Sequence, residues 1–109
     1  MRVLKFIVDE TTIKPDPDCD FTGLFPGQME RVVADFTFTP DWKSRVKVAA
    51  FWSIMGKEFP PQVINEEGLC EIPNEALAKV AFKVQVLGKH RDKKVETNQL
   101  TIYQSGNKR

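Results

Sequence analysis

Residues 68–106 read GLCEIPNEALAKVAFKVQVLGKHRDKKVETNQLTIYQSG, and this stretch decides the fold. It begins with a short strand pattern at 69–72 and a Pro-Asn-Glu turn that allows at most one helical turn. The strongest alternation in the chain follows, and it predicts four residues on one strand face: Val80, Phe82, Val84 and Val86. A polar connection at 88–94 leads to a returning strand at 95–103, with Leu100 and Ile102 pointing inward. The stretch is predicted to form the closing half of a β-sandwich.

The residues before this stretch add further strands. Residues 3–8 mix β-branched and aromatic side chains, and residues 31–38 alternate cleanly, which predicts one buried face of Val32, Ala34, Phe36 and Phe38. Residues 45–54 are predicted to form another strand, with Trp52 as the central core aromatic. The side chains predicted to face the core are those of Val46, Val48, Ala50 and Trp52. A helix over the same residues is the alternative, but the β-branched residues and the Gly56-Lys57 turn favour a hairpin.

About seven strands at this spacing predict an all-β fold, an Ig-like or fibronectin-like antiparallel β-sandwich that occupies residues 1–109 as a single domain. The Cys…Trp…Cys pattern of antibody domains is absent, so Ig-like is here a statement about architecture. Cys19 and Cys70 are expected to be free thiols, although a disulfide between neighbouring strands is an alternative. The final residues Ser105–Arg109 are expected to form a frayed polar tail.

The charge balance limits the possible partners. Sixteen Lys and Arg residues oppose fifteen Asp and Glu residues, so no global field draws in nucleic acid or an anionic membrane. No apolar run approaches the ~20 residues that span a bilayer. The first eight residues are too short for the three regions of a signal peptide. We therefore expect a soluble protein without an export signal.

Three surfaces are candidate contact sites. Trp42 lies at a Thr-Pro-Asp-Trp corner, where a large aromatic could contact a sugar or a protein, or could fold back to cap the core. The prolines Pro60 and Pro61 indicate a sheet edge or a bulge. A third candidate is the basic segment 89–94, whose cations are Lys89, Arg91, Lys93 and Lys94. This segment could bind an acidic protein surface, a phosphate or a sialylated glycan.

The sequence offers little for catalysis or metal binding. Asp16, Asp18 and Asp20 alternate like the start of an EF-hand loop, but Phe21 and Gly27 stand where that motif needs glycine and glutamate. The single histidine, His90, lies in the basic segment without a recognisable partner for metal binding or base catalysis. We therefore predict no enzyme activity, no metal site and no cofactor. A small enzyme or metalloprotein is the alternative, and it would need a pocket with converging polar groups.

The second half of the chain also resembles a known family. The resemblance rests on four segments in order: 56–60 (GKEFP), 70–77 (CEIPNEAL), 84–88 (VQVLG) and 97–102 (TNQLTI). In this order they resemble the small Ig-like domains of baseplate, tail and fibre proteins of phages that infect Gram-positive bacteria, notably the N-terminal domain of upper baseplate proteins. The shared motifs are a Gly-Lys or Asn-Gly hairpin, an Ile/Val-Pro-x-Glu-x-Leu turn and a Thr-Asn-x-Leu/Tyr strand near a Ser-Gly pair. The N-terminal half of the chain departs from this pattern.

The resemblance implies a role and no catalytic residue. It implies a non-enzymatic structural protein of a phage virion, associated with the tail, baseplate or capsid and assembled in the host cytoplasm. Its partners would be other phage structural proteins, contacted through loops or sheet edges. The alternative is a carbohydrate-binding module for adhesion to the host cell wall, in which Trp42 stacks on a sugar and Lys89, Arg91 or Lys93 touches anionic groups.

Overall fold

The computed structural model describes residues 1–27 and 30–104, so the predicted tail at 105–109 lies outside the described residues. Within them the chain forms nine strands, a one-turn helix α1 (Asn74–Leu77) and a 3-10 helix at Pro40–Trp42. The strands are β1 (Arg2–Asp9), β2 (Thr12–Pro15), β3 (Val32–Phe38), β4 (Val46–Ser53), β5 (Gln62–Val63), β6 (Leu69–Glu71), β7 (Ala81–His90), β8 (Lys93–Glu96) and β9 (Leu100–Tyr103).

The strands form two sheets that enclose one apolar core. The first sheet has the order β2-β1-β3-β6, and the second has the order β5-β4-β7-β8, with β9 also paired to β7. Side chains from both sheets meet in this core, among them Leu4, Phe6, Phe36, Phe51, Phe82 and Val84. The predicted all-β sandwich is therefore confirmed, and a fold of two layers buries one face of each sheet.

One pairing differs from the antiparallel expectation. β1 pairs with β3 in parallel, from Arg2 opposite Val32 to Val8 opposite Phe38. The other pairings among the described strands are antiparallel. A parallel pair needs a long crossover connection, and here the chain between β1 and β3, which includes β2, supplies it. The crossover places β1 inside the first sheet, between β2 and β3.

The predicted return strand 95–103 is divided into β8 and β9 by Thr97. The Thr97 N–H donates to the Val86 carbonyl at 3.0 Å, and the Thr97 Oγ1 accepts from the Val86 N–H at 3.0 Å. The next residue, Asn98, accepts a hydrogen bond from the Ile13 N–H through Oδ1 at 2.8 Å. Thr97 thus hydrogen-bonds the segment between β8 and β9 to β7, and Asn98 hydrogen-bonds the same segment to β2 of the other sheet.

The inward face of β4 is the opposite of the predicted one. The core-facing residues of β4 are Ala49, Phe51 and Ser53, whose register partners on the neighbouring strand β7 are Val86, Val84 and Phe82. Trp52 therefore projects from the outer face and is only partly buried, so its prediction as the central core aromatic is wrong. Phe51 takes that place, fully buried and 6.3 Å from the ring of Phe82. The strand prediction itself is confirmed.

Candidate functional site

Trp42 lies in the core and offers no contact surface. Its side chain is fully buried, and its indole N–H donates to the Glu10 carbonyl at 2.8 Å. The Phe38 ring is 5.3 Å away, and the Arg45 guanidinium lies 4.9 Å above the Trp42 ring. The structure thus places Trp42 as a core cap and removes it as a candidate for sugar or protein contact. The 3-10 helix at Pro40–Trp42 turns the ring inward, beneath Gly88 of β7.

Three of the four predicted cations lie around one groove. Lys89, Arg91 and Lys94 line a groove of about 560 Å³ on the outer face of the second sheet, whose floor consists of Val46, Val48, Leu87 and Gly88. Lys93 pairs with His90 instead and does not line it. The lining contains cations and no acidic residue, so the groove combines an apolar floor with a positive rim. We call it the cationic groove.

The tip of the β7–β8 hairpin is held in an uncommon conformation. His90 and Lys93 form the last pair, so Arg91 and Asp92 make the turn. Arg91 has a φ of 57°, in the left-handed region that costs a side-chain-bearing residue about 1–2 kcal/mol. His90 is anchored, since its Nδ1 lies 3.0 Å from the Ser44 carbonyl and donates to it. The fold therefore keeps an exposed Arg91 at a position that favours glycine or asparagine.

The Pro60-Pro61 pair lies at a sheet edge, as predicted. Both prolines are exposed and precede β5, the edge strand of the second sheet. Pro61 lines a second groove, of about 630 Å³, together with Val48, Ala50, Trp52, Glu58, Gln85, Leu87, Glu96 and Gln99. We call it the Trp52 groove. The two grooves share Val48 and Leu87, so the outer face of this sheet is one surface with two chemically different halves.

One exposed apolar cluster was missed by the sequence reasoning. Met55 is 91% exposed and Val80 is 65% exposed, and both line a groove of about 290 Å³ with Ile54 and Lys79. Val80 was predicted to face inward as the first residue of a strand, but β7 begins at Ala81. The exposure of Met55 could have been expected from its position in the turn before Gly56, because a side chain in a turn does not pack on the core face of a sheet.

Among the described residues, the Cys70 thiol and the Asp20 carboxyl have shifted pKa values. Cys19 and Cys70 are free thiols, and burial raises the pKa of Cys70 to about 12. Hydrogen bonds from Thr22 lower the pKa of Asp20, which lies in an exposed loop. In residues 1–27 and 30–104 no three acidic, histidine or cysteine side chains are placed to hold a metal ion, so Asp16 and Asp18 do not join Asp20 in such a group.

The comparisons with known proteins show a structural likeness and no sequence match. No protein-family model matches the chain, and no curated protein matches it by sequence. Among solved structures, the chain is similar to the N-terminal domain of ORF48 of phage TP901-1, with a TM-score of 0.52 and 11% sequence identity. The likeness covers 93% of this chain and 96% of that domain. At this identity it shows a shared fold over almost the whole of both chains. No helix in the described part of the chain is long and apolar enough to cross a membrane.

Proposed function

We propose that this chain is a non-enzymatic structural module of a phage virion, of the Ig-like kind, which acts through protein–protein contacts in the tail, the baseplate or on the capsid. The observation that carries the proposal is the end-to-end structural likeness to a domain of a phage protein. The sequence resemblance in 56–102, which rests on different information, favours the same family. In this proposal the protein is assembled in the host cytoplasm and its partners are other phage structural proteins.

The cationic groove is the surface that suits a protein partner best. Its floor exposes Val46, which is 66% accessible to solvent, and its rim carries Lys89, Arg91 and Lys94. An apolar centre with a charged rim is the usual composition of a protein interface. Three cations with no acidic residue in the groove lining would attract an acidic partner and raise its association rate constant at low salt. The retained left-handed Arg91 supports this role, because strained residues cluster at functional positions.

The first experiment localises the protein. Mass spectrometry of purified particles should find it in complete virions in a fixed ratio to a known structural protein, and its absence from complete particles would end the proposal. Electron microscopy with a bound antibody would then locate it on the tail, baseplate or capsid.

The second experiment tests the surface. Reversal of the rim charges in Lys89→Glu, Arg91→Glu and Lys94→Glu should reduce incorporation into particles when the variant is supplied in place of the native protein. Lys14→Glu is the matched control, since Lys14 is an exposed cation on β2 of the other sheet. Equal incorporation of the reversed rim and the control would remove the cationic groove from the proposal and leave the virion assignment to the first experiment.

A further inference from the structure

The Trp52 groove carries a chemistry that protein contact does not require. Its lining combines one indole ring, the carboxylates of Glu58 and Glu96, and the carboxamides of Gln85 and Gln99, with no cation among the lining residues. A volume of about 630 Å³ is within the range of small-ligand sites. An aromatic face surrounded by a few fixed hydrogen-bonding groups is the arrangement that binds amphipathic rings.

The sheet register explains why a groove forms here. Residues paired across antiparallel strands project from the same face. Ala50 pairs with Gln85, and its neighbours on the same face of β4 are the larger Val48 and Trp52. The backbone of Trp52 also forms an isolated β-bridge with Glu58. The small methyl group of Ala50 therefore forms the floor between two taller walls. Pro61 closes the groove on the β5 side.

The polar groups of the groove are positioned by bonds in the free protein. Gln85 Nε2 donates to the Thr97 carbonyl at 2.7 Å, which fixes the carboxamide and directs its oxygen. Glu96 and Gln99 flank the Thr97-Asn98 pair, whose backbone N–H groups donate to the Val86 carbonyl of β7 at 3.0 Å and to the Thr11 carbonyl at 3.3 Å. Side chains on anchored backbone lose less entropy when they bind. The walls thus need little rearrangement.

Trp52 also has an unused donor. Its indole N–H is buried without a hydrogen-bond partner among the described residues. A buried donor without a partner destabilises the free protein. The N–H is covered by neighbouring atoms, so a ligand oxygen reaches it only after a local movement of the groove wall.

We propose that the Trp52 groove binds a neutral saccharide. The indole ring would pack on the apolar C–H face of a sugar ring, and the carboxylates and carboxamides would bond its hydroxyl groups. Two carboxylates without a lining cation disfavour sulfated, phosphorylated or sialylated glycans. Lys83 pairs in register with Trp52 but does not line the groove. This site replaces the one expected at Trp42, and it goes beyond the proposed virion role without depending on it.

Intrinsic fluorescence tests the site directly. The chain has two tryptophans, and Trp42 is sealed in the core, so a change caused by ligand reports on Trp52. The probes are maltotriose, cellotriose and triacetylchitotriose as neutral sugars and sialyllactose as the anionic comparator, each up to about 10 mM. At least one neutral sugar should bind saturably with a Kd of about 1 mM, and saturation-transfer NMR should show that its ring protons contact the protein.

Variants connect binding to the groove. With NMR as the readout, Trp52→Ala should weaken binding at least about tenfold, Trp52→Phe should keep part of it, and the exposed Gln99→Ala should weaken it about threefold. Tyr103→Ala, an exposed aromatic of β9 that does not line the groove, should bind like the native protein.

Three results would overturn the proposal: no neutral sugar binds, Gln99→Ala and a folded Trp52→Ala both bind normally, or sialyllactose binds more tightly than every neutral sugar. Presence in virions is measured separately, so failure here and failure of the virion role are distinguishable.

Discussion

The contact between Gly88 and Trp42 gives a prediction whose size follows from the structure. A Cβ added at Gly88 would lie 2.5 Å from Cζ3 and 3.0 Å from Cε3 of Trp42, and 3.1 Å from Cδ of Arg45. Carbon atoms in good contact are about 3.5–4.0 Å apart. Gly88 is not among the glycines with positive φ, so alanine suits its backbone and the cost is steric. Trp42 cannot move away, because it is fully buried and bonded to the Glu10 carbonyl.

Gly88→Ala should therefore destabilise the protein by about 2 kcal/mol. Overpacking a core costs about 1–3 kcal/mol, and a Cβ only 2.5 Å from a fixed ring belongs at the upper end of that range. Replacement of glycine returns about 0.4–1 kcal/mol through the unfolded chain, which leaves a net cost of about 2 kcal/mol. For a domain of this size the loss corresponds to a melting temperature lower by about 8 °C. Urea unfolding followed by circular dichroism measures it, with the exposed neighbour Lys89→Ala as a control that should stay within about 0.5 kcal/mol of native.

A double variant separates this contact from other causes. In a Trp42→Phe background the smaller ring leaves room, so Gly88→Ala should cost at least about 1 kcal/mol less than it does alone. A cost for Gly88→Ala below about 0.5 kcal/mol, or an unchanged cost beside Trp42→Phe, would refute the reasoning, because either result would mean that the ring does not block the new methyl group.

Further predictions concern three other positions. Asn98→Ala should lower the free energy of unfolding by about 1 kcal/mol in urea titrations, because Ile13 loses its acceptor, whereas Asn98→Asp should retain most of it. Arg91→Gly should raise the melting temperature, because it removes about 1 kcal/mol of left-handed strain, and a lowered value would contradict this. Cys70 should resist Ellman's reagent in the native protein, with one thiol reacting before denaturation and two after it. The folded pKa of Cys70 is raised from 9.0 to about 12, so stability should fall as pH rises through that window, where only the unfolded thiol releases its proton. Cys70→Val should flatten that slope.

Alternation identified the strands better than it identified their inner faces. In β3 the pattern predicted the buried face correctly, because the outer positions carry Asp35 and Thr37. In β4 both faces are apolar, so the larger residues were assigned inward and the assignment was wrong. The inner face carries the small Ala49 and Ser53 beside Phe51, while the apolar residues of the outer face line the two grooves. When both faces of a strand are apolar, the alternation of its residues does not show which face lines a surface groove.

The burial of Trp42 and the place of β1 depend on contacts between distant residues. A signal for the first was present, since a glycine inside a strand marks a position where another group approaches closely, and Gly88 interrupts the best strand of the chain. No comparable signal marks the parallel pairing of β1 and β3, because register and direction are set by the whole sheet. The cations of the cationic groove could be named from sequence, but its floor could not, since Val48 and Leu87 meet only through sheet pairing.

The parallel pairing of β1 with β3 has a mechanical consequence. β1 pairs with β3 from Arg2 to Val8 and with β2 from Phe6 to Asp9. A pull on Met1 along the strand would load these bonds together in shear, and they would have to fail as a group. Single-molecule stretching from this end should therefore give a higher rupture force than a pull that peels β9, which is bonded to β7 by only four register pairs.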